Sequence, residues 1–142
     1  MSVVRSVARA GLTAAVAAGA AQIASGWLQA HPPGGRRRWE RPNHAGEAVT
    51  LLEGPAMVAG LLTGVATAPG VPRALRAGAA VAVAGGAALG AVDDLAEKGK
   101  SKGLRGHLGE LASGRLTTGG LKVLGIGASG LVGGALALRS AP

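Results

Sequence analysis

Apolar and polar residues follow one another along this chain in long blocks. Four blocks are almost wholly apolar, at 7–28, 48–68, 74–92 and 119–138. Each approaches the roughly 20 residues a helix needs to cross a hydrocarbon core. Two long basic segments, 29–47 and 93–118, and a short turn near Pro69–Arg73 separate them. Pro32-Pro33-Gly34-Gly35 stops the first helix, and the short turn forces its two flanking helices to be antiparallel neighbours. The pattern predicts an all-α, polytopic integral membrane protein with about four transmembrane helices in one membrane domain, 1–142. For the first block the competing reading is a cleaved signal peptide, with Arg5 and Arg9 as its basic start. The length of the run, and Trp27 at an interfacial position, favour a span. Glu53, Gly54 and Pro55 sit near the start of the second block. Proline is tolerated in a first helical turn, which puts Glu53 at the membrane rim.

Composition supports membrane packing over a soluble core. The chain is 48% hydrophobic but 1% aromatic, with 26 glycines and no Phe, Tyr or Cys. Soluble cores draw much of their burial energy from large side chains, whereas membrane helices pack through small ones. Three GxxxG pairs are candidate helix-contact faces: Gly60/Gly64, Gly86/Gly90 and Gly130/Gly134. The absence of cysteine removes disulfides and thiolate metal sites from consideration.

The net charge of +8 raises nucleic-acid binding as a function. Apart from Trp39, no aromatic residue is interleaved with the basic ones to stack on bases, so no nucleic-acid partner is expected. A charge bias across a membrane fits better. Ten of the fifteen Lys/Arg (Arg36, Arg37, Arg38, Arg41, Lys98, Lys100, Lys102, Arg105, Arg115 and Lys122) fall in or beside the two long segments. Arg5, Arg9, Arg73, Arg76 and Arg139 fall on the opposite side. The excess puts both long loops in the cytoplasm.

The candidate chemistry lies at the end of the third block. Asp93 and Asp94 are adjacent, so on a helix they point about 100° apart and serve different partners. They stand at a helix C-terminus, where the macrodipole disfavours negative charge, and ionisable groups at a membrane boundary are costly enough to suggest a role. A solvated stop signal ending the span is the equal alternative. Lys98, Lys100, Lys102 and Arg105 supply complementary charge for phosphate oxygens. Their competing role is contact with anionic lipid heads. His107 and Lys122 are further phosphate-binding candidates, with a plain polar loop residue as the alternative for His107. Thr117 and Thr118 read as an N-cap opening the fourth helix, whose N-terminus suits a phosphate. His44-x-Gly46 in the first long loop is a candidate substrate loop. No His/Asp/Glu cluster has metal-ligand spacing, but Mg²⁺ needs only one or two protein carboxylates.

Gly90-x-x-Asp93-Asp94 at a helix end, Lys102-Gly103-Leu104 after it, and His44-x-Gly46 with Gly54 before it together resemble the polyprenyl-phosphate N-acetylhexosamine-1-phosphate transferases. This membrane family includes the phospho-N-acetylmuramoyl-pentapeptide transferase. The order of spans and loops is similar as well, over essentially the whole chain but only the first part of the family's length. The resemblance implies an amino-terminal portion of a bacterial inner-membrane enzyme of wall-polymer synthesis, with its site on the cytoplasmic face. The implied reaction moves a sugar-1-phosphate from a UDP-amino sugar to a polyprenyl phosphate, with Mg²⁺ as cofactor. Asp93 and Asp94 would lie by the lipid phosphate and the metal, and Lys102 would contact phosphate oxygens. The family's later Asn/Asp-rich and His-containing motifs have no counterpart after Asp94 and His107. This stretch alone is therefore expected to be inactive, with a second chain or a carboxy-terminal half as a possible partner. The rival reading is a small non-catalytic Gly/Ala-rich membrane protein that assembles with partner helices. A secreted basic protein, released after signal cleavage, is excluded if the other three blocks are spans.

Overall fold

The computed structural model describes residues 2–96 and 118–139. They are mostly helical. In chain order the elements are α1 (Ser2–Ala30), a single 3₁₀ turn (Arg36–Arg38), β1 (Glu40–Pro42), β2 (Ala48–Thr50), α2 (Glu53–Thr67), α3 (Arg73–Ala96) and α4 (Thr118–Leu138). The helices pack in series, α1 on α2, α2 on α3 and α3 on α4.

Sequence reading and structure differ between Trp39 and Leu52. The second apolar block does not begin a helix at Ala48. Residues 48–50 pair instead with 40–42 in an antiparallel hairpin, in the register Glu40↔Thr50, Arg41↔Val49 and Pro42↔Ala48. The fold is thus helical with one small β-hairpin, not wholly α. Asn43 holds the turn: its side-chain oxygen accepts from the amides of Ala45 and Glu47, each at 2.9 Å. Its own amide donates to the Glu47 carbonyl at 2.8 Å. Gly46 takes φ of 82°, a conformation open to glycine at little cost. The Leu51 amide donates to the Trp39 carbonyl at 2.7 Å and extends the ladder. α2 therefore starts at Glu53 and has 15 residues, about 22 Å of helix. Pro55 lies in its first turn, where a missing N–H costs nothing, and Glu53 is exposed beside the helix's positive end.

The other blocks hold with shifted ends. α1 has 29 residues and extends the expected 7–28 in both directions. α3 runs past Asp93 and Asp94 to Ala96. α4 matches the expected 119–138 to one residue. Two helices are long and apolar enough to cross a membrane, Val3–Ala30 and Arg73–Val92, and Lys122–Leu138 is a shorter apolar helix.

The apolar side chains are distributed inside out. Leu52 and Ala56 are the buried hydrophobic residues among those described, while Leu12, Ile23, Leu131 and Leu138 are each more than half exposed. Glycine fills the helix contacts instead. A Cβ at Gly60 would lie 2.6 Å from the Ala17 carbonyl oxygen and 2.7 Å from the Ala21 Cβ, and one at Gly64 would lie 2.9 Å from the Ala17 Cβ. Gly78 and Gly133 meet backbone to backbone, and Gly85 faces Ser129. Of the three GxxxG pairs, only Gly60/Gly64 sits at such a contact. Gly86, Gly90, Gly130 and Gly134 face open space, with nothing within 4 Å of a built Cβ.

Candidate functional site

These seams fix which helix ends lie together. Gly60 and Gly64 meet Ala21 and Ala17 in descending order, so α1 and α2 are antiparallel. Gly78 and Leu89 meet Gly133 and Gly125, so α3 and α4 are antiparallel as well. The hairpin, the start of α2 and the end of α3 therefore share one end of the bundle. The two long loops of the sequence reading leave from that end.

Arg41 joins the hairpin to α3. Its Nη2 donates to the main-chain carbonyl of Asp94 at 3.0 Å, and its Nη1 donates to the Glu40 carbonyl at 2.7 Å. A guanidinium on the last carbonyls of a helix is favourable, because that end carries partial negative charge. This contact partly offsets the unfavourable position of the two aspartates. It is made to the carbonyl, and Asp94 itself remains exposed. Arg41 was counted in the sequence only as one of the loop cations. Its role depends on the hairpin, whose turn signal, Asn43 with Gly46, could have revealed it.

Beside this contact lies a cavity of about 760 Å³ between α2 and α3. Pro55, Val58, Leu62, Val83 and Ala87 supply apolar wall, and Trp39 and Asp94 also line it. The Trp39 indole is held in place, because its Nε1 donates to the Pro33 carbonyl at 2.7 Å. A smaller hollow of about 380 Å³ on the other side of Trp39 is lined by Gln29, Arg36, Glu40 and Glu53, among others. Arg36 and Glu40 approach to 3.7 Å, with Arg36 three-quarters exposed, so this pair contributes little.

The expected site residues are only partly brought together. Asp94 stands on the last turns of α3, at the cavity. Asp93 precedes it in the same helix. His44 is exposed in the hairpin turn and Gly46 closes that turn, so both belong to this end of the bundle, but neither lines the cavity. Lys122 is half-buried in the first turns of α4. Lys102, Arg105 and His107, with Lys98, Lys100, Arg115 and Thr117, lie outside the described residues. No group of three or more His, Asp or Glu side chains forms a metal cluster among the described residues. The arrangement provides an apolar chamber lined by one carboxylate, Asp94, with the Arg41 guanidinium outside that lining, on the Asp94 carbonyl. No family model matches the chain, nor does any curated protein or solved structure.

Proposed function

We propose that this chain is a membrane protein that binds an isoprenoid phosphate, as the amino-terminal portion of a sugar-1-phosphate transferase. The observation that carries the reading is the α2–α3 cavity, apolar along its walls, with Asp94 in its lining and Arg41 held on the Asp94 carbonyl next to it. A polyprenyl chain fits the walls, and its phosphate would lie beside Arg41, which keeps N–H donors beyond those given to the Glu40 and Asp94 carbonyls. The inside-out placement of leucines and valines supports a lipid environment.

In the proposed reaction, a phosphate oxygen of the polyprenyl phosphate attacks the β-phosphorus of a UDP-amino sugar. The bond from that phosphorus to the bridging oxygen breaks, and UMP leaves. Positioning and charge neutralisation supply most of the rate in such a transfer. Two adjacent carboxylates and phosphate oxygens suit Mg²⁺, which keeps several of its waters, so Asp93 and Asp94 are the residues that would hold it. Bound there, Mg²⁺ would neutralise charge developing on the diphosphate. Arg41 orients the lipid phosphate, and Trp39 screens the chamber from the hairpin side. Lys102, Arg105, His107 and Lys122 are proposed to hold the remaining phosphate oxygens. Further chain, in the same polypeptide or a second one, completes the nucleotide-sugar pocket.

Binding tests this reading. Native mass spectrometry of the full chain in detergent should retain polyprenyl phosphate about tenfold better than the matching polyprenol, the effect of one charge-assisted contact. Arg41→Gln should remove the difference. Equal retention of alcohol and phosphate would overturn the proposal.

We also propose that the hairpin end faces the cytoplasm of a bacterial inner membrane, on the charge count above. The chain has no cysteine, so single cysteines report cleanly. Pro72→Cys, in the turn at the opposite end, should react with an impermeant thiol reagent on intact cells, and Ala45→Cys in the hairpin turn should not. The reverse pattern inverts the topology.

A second reading is carried by open glycines on α4. Gly127, Gly130 and Gly134 have nothing within 4 Å of a built Cβ, which suits docking of a partner helix in a non-catalytic assembly.

A further inference from the structure

The two ends of the bundle differ in charge balance. The described carboxylates Glu40, Glu47, Glu53 and Asp94 all lie at the hairpin end. The opposite end holds the start of α1, the turn after α2, the start of α3 and the end of α4. It carries Arg5, Arg9, Arg73, Arg76 and Arg139 and, among the described residues, no acid. Arg76 is committed, because its Nη1 donates to the Ala66 carbonyl at 2.8 Å and closes the C-terminus of α2. Arg9 leans over the turn instead: a Cβ at Gly70 would lie 2.6 Å from its Nη1. Arg9 also lines a groove of about 580 Å³ between α1 and α2, with Ala14, Leu61 and Val65 among its apolar residues.

We propose that this groove binds an anionic glycerophospholipid, with an acyl chain between α1 and α2 and the phosphodiester on Arg9. The inference rests on the membrane reading but not on the transferase reading, since this end lies opposite the α2–α3 cavity. A guanidinium with no carboxylate among the described residues at its end of the bundle attracts an anionic headgroup, and its planar fork suits the two free phosphodiester oxygens. The apolar groove gives the chemistry below the headgroup. Charge and surface together favour a lipid over free phosphate.

The test uses the full chain in detergent micelles, with phosphatidylglycerol and phosphatidylcholine of identical acyl chains. Native mass spectrometry should show phosphatidylglycerol retained about tenfold better, the discrimination expected of one charge-assisted contact. Arg9→Gln should abolish the preference, Arg9→Lys should keep part of it, and Arg37→Gln at the hairpin end should keep all of it. Inorganic phosphate should not compete. Equal retention of both lipids, an unaffected Arg9→Gln, or competition by free phosphate would overturn the proposal. If Arg9→Gln does not fold, salt decides the matter: the wild-type preference should fall as ionic strength rises, and a salt-independent preference overturns it. A chain that does not enter phosphatidylcholine vesicles at all would overturn the membrane reading and this inference together.

Discussion

Alanine at Gly133 should destabilise the protein by about 1–3 kcal/mol, the usual cost of forcing a methyl group into a filled contact. Alanine at the next residue, Gly134, should be neutral or stabilising by about 0.5–1 kcal/mol, because glycine is a poor helix former. The opposite signs follow from which way each position faces. A Cβ at 133 would stand 2.5 Å from the Gly78 carbonyl oxygen and 3.1 Å from the Ala82 Cβ, while one at 134 would meet nothing within 4 Å. The obstacle at 133 is backbone, which cannot rotate aside as a side chain can. α3 and α4 must therefore move apart along the whole seam. Thermal unfolding in one detergent should rank Gly134→Ala at or above wild type and Gly133→Ala below it. Equal midpoints for the two variants would mean that α3 and α4 do not approach as described.

The same contacts show what could be read from the sequence. α1, α3 and α4 were legible because long apolar blocks bounded by Pro, Gly and charge leave few alternatives to helix. The hairpin was not, since strands of three residues carry no alternation and Ala48–Leu52 reads equally well as the start of an apolar helix. The side chain of Asn43 and the pairing of Trp39 with Leu51 decide it, and these interactions take shape only when the loop closes. The glycine seams were half legible. Gly60/Gly64 was found because its partner face, Thr13, Ala17 and Ala21, requires glycine twice. On α4 the contact face is Gly125, Ser129, Gly133 and Ala137, a small residue every fourth position. Glycine pairs alone do not reveal it, and Gly130/Gly134 lies on another face. Which face of a uniformly small-residue helix meets its neighbour is set by the neighbour. At the candidate site, the aspartates were visible as charge at the end of an apolar run. Arg41 was hidden because its partner is a main-chain oxygen far along the sequence.

Asp94→Asn should cut sugar-1-phosphate transfer by about a hundredfold or more in an assembly that turns over, the scale on which single charged groups act in such sites. Asp94 belongs to the cavity by position, and no other described carboxylate lines that cavity. The substitution should leave folding intact for a stated reason. It removes a negative charge from the C-terminal end of α3, where the helix dipole opposes it, so stability should hold or rise by about 0.3–1 kcal/mol. The Arg41 contact is to the main-chain carbonyl and survives the change. Turnover and stability should thus move in opposite directions, which misfolding cannot imitate. Glu47→Gln is the control: Glu47 is exposed in the hairpin turn, where its Oε2 accepts from the Asn43 side chain at 3.0 Å, and the amide oxygen of glutamine can accept the same bond. Turnover in that variant should match wild type. Asp93→Asn completes the set. Asp93 is the second carboxylate proposed to hold Mg²⁺, so its loss should also cut turnover. Full turnover in both aspartate variants would make the pair a solvated end to α3 and would sink the transferase reading, leaving the lipid-binding cavity to be explained without it.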